Sequence, residues 1–83
     1  MEIIKFGKKG CTPCNMVENF LNDEEVTYTS VDVEVDPGKA VEHDVVMTVP
    51  VVILKNGDKE VMRTTGFNPG QLGEIIDLYQ GAQ

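Results

Sequence analysis

The sequence predicts an α/β fold: a four-stranded mixed sheet flanked by three helices, in the order β-α-β-α-β-β-α. Three observations carry this expectation. Short β-rich runs alternate with stretches of helical periodicity along the chain. The run Val51-Val52-Ile53-Leu54 has no polar face, as in a strand covered on both sides. Asn56-Gly57 follows almost at once, and this dipeptide tolerates the positive φ angles of a tight hairpin, so the next strand runs antiparallel. Strands joined through a helix are instead expected to be parallel neighbours with a right-handed crossover, which makes the sheet mixed.

Each element has its own signal. Ile3-Ile4-Lys5-Phe6 is a short β-rich run that Gly7 and Gly10 end, so it reads as a strand entering a loop. Beyond the cysteines, Met16, Val17, Phe20 and Leu21 fall on one face of a helix, which Asn22 and Asp23 close. From Val26 to Val33 the β-branched and aromatic content predicts a strand, although its alternation changes phase around Ser30. Asp36-Pro37-Gly38-Lys39-Ala40 reads as a turn into a short helix through about Asp44, with Pro37 near the first helical position. The strand after the hairpin spans about Lys59 to Thr64. Asn68-Pro69-Gly70-Gln71 then supplies a cap, a proline at the first helical position and the glutamine of a capping box. Leu72, Ile75, Ile76 and Tyr79 continue as an amphipathic helix.

At 83 residues the chain is expected to form one domain, residues 1–83, with a single modest core. Its longest apolar run, Val49 to Leu54, is too short to span a bilayer. The N-terminal residues lack the pattern of a secretory signal, so a cytoplasmic monomer is the default expectation. A net charge of −7 argues against a nucleic-acid partner, because phosphate binding needs a clustered basic surface. The charge is unevenly placed. Residues 1–15 carry three lysines against one acid, whereas residues 18–44 carry one lysine against nine acids. The plain reading of those lysines is solvated surface charge.

Cys11 and Cys14, the two cysteines of the sequence, lie in the positive segment. A closed zinc site normally takes four ligands, and His43 is the one histidine available, placed in the acidic segment and read as a solvated surface residue. No metal is therefore expected. A structural disulfide closing so short a loop would remove little entropy from the unfolded chain, and the cytosol keeps most thiols reduced. A redox pair fits better. Cys11 falls at the cap of a helix, where unpaired N–H groups and the helix dipole favour a thiolate, and Lys8 and Lys9 add charge of the right sign. Cys14 falls one turn inside on the covered side, placed to attack a disulfide formed at the more exposed Cys11. Thr12-Pro13 stiffens the loop, and first-turn N–H groups have no helical acceptor to lose.

These features together resemble the thioredoxin and glutaredoxin superfamily. The resemblance runs over nearly the whole chain, through CTPC at 11–14, TVP at 48–50, KNG at 55–57 and Gly66 after the last strand. Residues 36–57 are particularly similar to thioredoxins, while the chain length matches glutaredoxins and the small redoxins that serve ribonucleotide reductase. The resemblance implies a compact thioredoxin fold of glutaredoxin size. It also implies a thiol-disulfide oxidoreductase that reduces protein disulfides, with ribonucleotide reductase among the acceptors to consider. Cys11 would be the nucleophile and Cys14 the resolving thiol. No cofactor is implied beyond the Cys11–Cys14 disulfide. Val49-Pro50 would be the cis-proline that packs beside the cysteines and offers backbone to a substrate chain. Gly66 and Phe67 would form the far wall of the groove, and Lys8 matches a lysine common before glutaredoxin cysteines.

The sequence departs from the pattern at three places. Lys5 stands where thioredoxins bury an acid next to the second cysteine. Either it modulates the thiolate electrostatically or it extends its stem to solvent, and the second is the expectation. Gly10 replaces the tryptophan before the first cysteine. Thr64-Thr65-Gly66-Phe67-Asn68 lacks the Gly-Gly-acid segment with which glutaredoxins hold glutathione, so a thioredoxin-reductase-type donor is expected over glutathione. The alternatives are a glutathione-dependent glutaredoxin and, from another class, a copper chaperone using the CxxC thiolates. Copper chaperones carry a methionine two residues before the first cysteine, where this chain has Lys9.

Overall fold

The structure is a computed structural model, describing residues 1–46 and 48–81. Its elements are β1 (Glu2–Gly7), α1 (Thr12–Asp23), β2 (Thr29–Asp32), α2 (Pro37–Glu42), β3 (Val51–Asn56), β4 (Lys59–Thr65) and α3 (Pro69–Gly81). The sheet order is β2-β1-β3-β4, with β1 and β2 parallel and the other two pairs antiparallel. This is the mixed sheet and the element order that the sequence predicts. One connection differs. β2 and β3 are joined through α2, yet β3 runs opposite to both β1 and β2. With only six residues, α2 does not carry the chain back along the sheet, so β3 starts at the edge where β1 and β2 end.

Side-chain alternation along the strands divides the interior in two. Ile3 of β1 with Val52 and Leu54 of β3 face α1 and α3, meeting Val17, Leu21, Leu72, Ile75 and Ile76. Ile4 and Phe6 with Val51 and Ile53 face the other way, toward Val31, Ala40 and Val45. The run 51–54 is thus fully buried because each of its faces has its own layer to cover it. On α1 the buried set is Cys14, Val17 and Leu21, while Met16, expected on that face, is 44% exposed. The buried stripe starts one turn earlier than the apolar residues suggest, because Cys14 fills its first position.

Element ends show further differences. β2 covers only Thr29–Asp32 of the expected 26–33, because α1 ends through Glu25 in a left-handed turn and residues 26–28 return the chain to the sheet. α2 ends at Glu42, two residues before the expected limit. The hairpin turn is Gly57-Asp58, flanked by the pair Asn56↔Lys59, so Asn56 belongs to the strand and only Gly57 takes a positive φ. At α3 the Asn68 cap forms, its Oδ1 accepting from Gln71 N at 3.1 Å. The capping box is not completed: the Gln71 side chain instead accepts from the buried Thr64 hydroxyl at 2.6 Å, tying α3 to β4.

His43, expected in solvent, is half-buried and held on several sides. Its ring lies 5.3 Å from that of Phe6, and its Nε2 accepts from Lys55 Nζ at 3.2 Å. The proton is then on Nδ1, which donates to Lys39 O at 2.9 Å. Arg63 reaches over to donate to the His43 carbonyl and also pairs with Glu60. These contacts fasten the end of α2 to β3 and β4.

Candidate active site

Strand register assembles the site. Phe6 of β1 pairs with Val51 of β3, which pairs in turn with Thr65 of β4. The residues just beyond this row, Gly7 onward, Pro50 and Gly66, therefore meet at one edge of the sheet. Gly66 N donates to Pro50 O at 2.8 Å and extends the ladder by one step, with Gly66 at a φ of 75° that favours glycine. Val33 N donates to Gly7 O at 2.9 Å and brings the end of β2 to the same edge. The Val49–Pro50 peptide bond is cis, as the resemblance implies.

From Gly7 the chain turns through Lys8, Lys9 and Gly10 into α1, with Gly10 at a φ of 70°. Cys11 is the N-cap of α1. Its backbone is extended, its carbonyl accepts the first helical bond from Asn15, and its Sγ accepts from Cys14 N at 3.2 Å. The sulfur thus lies where the helix presents unpaired N–H groups, a place that favours negative charge. Cys11 and Cys14 are joined as a disulfide, with their Cα atoms 5.2 Å apart. Cys14 is 2% exposed and Cys11 only 7%. The expected contrast between an open and a sheltered cysteine is therefore narrow in this oxidised form. Thr12 and Pro13 are exposed on the first turn, and Lys8 and Lys9 are exposed before it.

The remaining expected residues fall into place unevenly. Val49 is half-buried, and together with Lys8, Val45, Val46 and Thr48 it borders a pocket of about 200 Å³ beside the Val49–Pro50 bond. Phe67 turns its ring edge-on to Phe20, 6.2 Å between centroids, and packs against the core layer of α1 and α3.

Lys5 does not extend to solvent. Its side chain is 7% exposed, and Nζ donates to Glu18 Oε2 at 2.9 Å. β1 alternation puts Lys5 on the same side as Ile3, toward α1 and Cys14, so the ammonium needs a partner from that helix. Glu18 was not among the residues singled out in the sequence. The available signal is its spacing: it lies four residues after Cys14 and hence on the same face of α1. The carboxylate also acts on Tyr28, whose phenol is pushed above its ordinary value by burial and then by Glu18. Met16, which the periodicity put on the buried face, is instead an exposed apolar side chain two residues after Cys14.

Comparisons with known proteins agree with the family resemblance and the fold. The family model for glutaredoxin matches residues 3–58. A curated relative, the SPbeta prophage-derived thioredoxin-like protein YosR of Bacillus subtilis (strain 168), is 38% identical over 77 residues, covering 92% of this chain and 95% of the relative. Thioredoxin NaTrxh from Nicotiana alata superposes with a TM-score of 0.78 at 28% identity, covering 89% of this chain and 68% of that one. The glutaredoxin-like protein NrdH-redoxin from Escherichia coli has the same fold, with a TM-score of 0.73 at 18% identity, covering 89% of this chain and 93% of that one.

Proposed function

Because this chain belongs to the glutaredoxin family within the thioredoxin superfamily, a redoxin with a Cys11–Cys14 pair, we propose that it is a dithiol reductant of protein disulfides. The observation that carries this reading is the position of Cys11 at the cap of α1, on the sheet edge it shares with Val49–Pro50 and Gly66. In the reduced protein, the Cys11 thiolate attacks one sulfur of a substrate disulfide. The substrate S–S bond breaks, a mixed disulfide forms, and the displaced substrate sulfur leaves as a thiolate that takes a proton from water. Cys14 then attacks Cys11, releases the second substrate thiol and leaves the Cys11–Cys14 disulfide. Two electrons pass from the protein dithiol to the substrate.

The surrounding residues take supporting roles in this proposal. Lys8 supplies positive charge beside Cys11, Thr12-Pro13 sets the loop, and the backbone at Val49 and Gly66 flanks an extended substrate segment. Phe67 supports that wall from the core side. The missing Gly-Gly-acid segment after β4 favours a thioredoxin-reductase-type donor over glutathione for regenerating the dithiol. Ribonucleotide reductase is one acceptor to assay.

The test is reduction of a disulfide-bonded protein with NADPH and thioredoxin reductase in one sample, and with NADPH, glutathione and glutathione reductase in the other. Turnover is expected in the first. Turnover confined to the second would replace this donor assignment with a glutathione-dependent one. Cys11→Ser is expected to abolish reduction, whereas Cys14→Ser should trap mixed disulfides detectable by mass spectrometry. The reverse pattern would exchange the roles of the two cysteines.

A further inference from the structure

We propose that Lys5, held by Glu18, is a positioning residue that stabilises the thiolate of Cys14 for the resolving step. The inference rests on the reading of Cys14 as the resolving thiol. The problem it answers is physical. Cys14 is 2% exposed, and burial disfavours the charged form of a thiol, yet the thiolate is the form that attacks. Cys11 sits at the helix cap, whereas Cys14 lies inside the first turn with its own N–H directed to Cys11 Sγ. A compensating charge for Cys14 has to come from elsewhere.

Lys5 is placed to supply it. Among the described residues it is the one buried ionic side chain, the other buried polar residue being Thr64. Its stem and the Cys14 sulfur flank the same small space above Gly7. A methyl group at Gly7 would lie 3.3 Å from Lys5 Cε and 3.4 Å from both Cys14 Cβ and Sγ. Glu18, on the face of α1 that carries Cys14, anchors the ammonium at 2.9 Å and draws it toward that helix. The Glu18 side chain is itself half-exposed at 47%, so its charge is screened by solvent more than that of Lys5, whose side chain is 7% exposed.

Lys5, Glu18 and Cys14 all border an open pocket of about 240 Å³. The other charged groups on it are Lys8 and Lys9 from the loop and Asp32 from β2. Asp32 Oδ1 is engaged by the N–H groups of Glu34 at 2.9 Å and Val35 at 3.4 Å, and both loop lysines are exposed. Lys5 is therefore the desolvated charge of the set. The Cys14 proton leaves to water through this pocket. The Cys14–Cys11 bond then forms as the bond between Cys11 and the substrate sulfur breaks.

The experiment follows the thiolate of Cys14 directly. In a Cys11→Ser background Cys14 is the sole cysteine, and its ionisation is read by ultraviolet thiolate absorbance against pH, with no substrate present. Lys5→Met is expected to raise the midpoint by about one pH unit, which is about tenfold less thiolate at a pH below both midpoints. Lys5→Arg should return it most of the way. Methionine has a similar length and no charge to bury, so the fold is expected to persist, and a thermal melt run alongside checks this. Should Lys5→Met fail to fold, Lys5→Gln is read in the same way. Equal midpoints in the lysine, arginine and neutral proteins would overturn the proposal and leave Lys5–Glu18 as a structural ion pair. With both cysteines present, Lys5→Met should accumulate mixed disulfide and lower kcat with KM little changed. Absence of disulfide reduction in the unaltered protein would remove the functional reading without touching the absorbance result, so the two can fail separately.

Discussion

The two faces of the sheet are covered by different means. On one side α1 and α3 lay Val17, Leu21, Leu72, Ile75 and Ile76 over Ile3, Val52 and Leu54, an apolar layer with two long helices behind it. On the other, a six-residue helix and the chain leading to β3 cover Ile4, Phe6, Val31, Val51 and Ile53 with little more than Ala40 and Val45. That thinner side is fastened by polar contacts: His43 between Lys39 and Lys55, and Arg63 between Glu60 and the His43 carbonyl. The difference teaches that hydrophobic burial secures the scaffold of the cysteines, whereas directional bonds secure the segment that carries Val49–Pro50. Among the described residues the one buried charge, Lys5, sits on the apolar side, between its partner on α1 and Cys14.

The largest way to break this comparison is Leu21→Ala. Leu21 is fully buried under α1, and its truncation is expected to cost about 2–5 kcal/mol by denaturant unfolding, a large share of the stability of so small a chain. A smaller effect on the opposite face would follow Arg63→Ala, which removes the bonds to His43 O and Glu60 but no core volume. A loss of about 1–2 kcal/mol is expected there. A loss as large as that of Leu21→Ala would show that the directional bonds hold their face as strongly as burial holds the other.

Acid sharpens the polar side further. The hydrogen bond from Arg63 holds the Glu60 carboxyl below its usual range. A carboxyl depressed in the folded state contributes stability above its unfolded value, and that contribution is lost as pH falls through the folded one. Glu60 is 42% exposed, so the contribution is under about 1 kcal/mol. Stability curves at neutral and acidic pH should therefore fall less for Arg63→Ala than for the unaltered protein. The smallest expected change lies at the end of α1, where Glu25 holds a φ of 56°. Glu25→Gly should raise stability by about 0.5–1 kcal/mol, because glycine takes the left-handed conformation without steric cost. An unchanged unfolding midpoint would show that the turn carries no such cost.

How far the sequence reached can be seen at particular residues. Leu72, Ile75 and Ile76 announced α3 because a helix that buries one stripe must repeat its apolar residues at that spacing. Met16 shows the limit of the same signal: the buried stripe runs through Cys14, Val17 and Leu21, and apolar periodicity alone does not tell which edge of the apolar face the packing leaves exposed. His43 read as a solvated residue because nothing local shows that Phe6, Lys55 and Arg63, distant in the chain, converge on it. The CTPC pair and its cap were legible because a helix N-terminus is a local structure, with its chemistry written in adjacent residues. Lys5 stands out in the sequence but its burial does not, because the choice between solvent and an ion pair depends on Glu18 across the β1–α1 packing.

By itself the sequence determined the alternation of strands and helices, the fully buried run 51–54 of the third strand, the helix cap at Asn68, and the cysteine pair at the start of α1. These follow from backbone propensity, side-chain period and capping, all of which act within a few residues. Only the tertiary structure decided that β3 begins where β1 ends, so that Gly7, Pro50 and Gly66 share one edge, and that Lys5 meets Glu18 beside Cys14. Those outcomes depend on strand register and on which helix covers which face. Both are set by contacts between residues far apart in the chain, which local pattern does not encode.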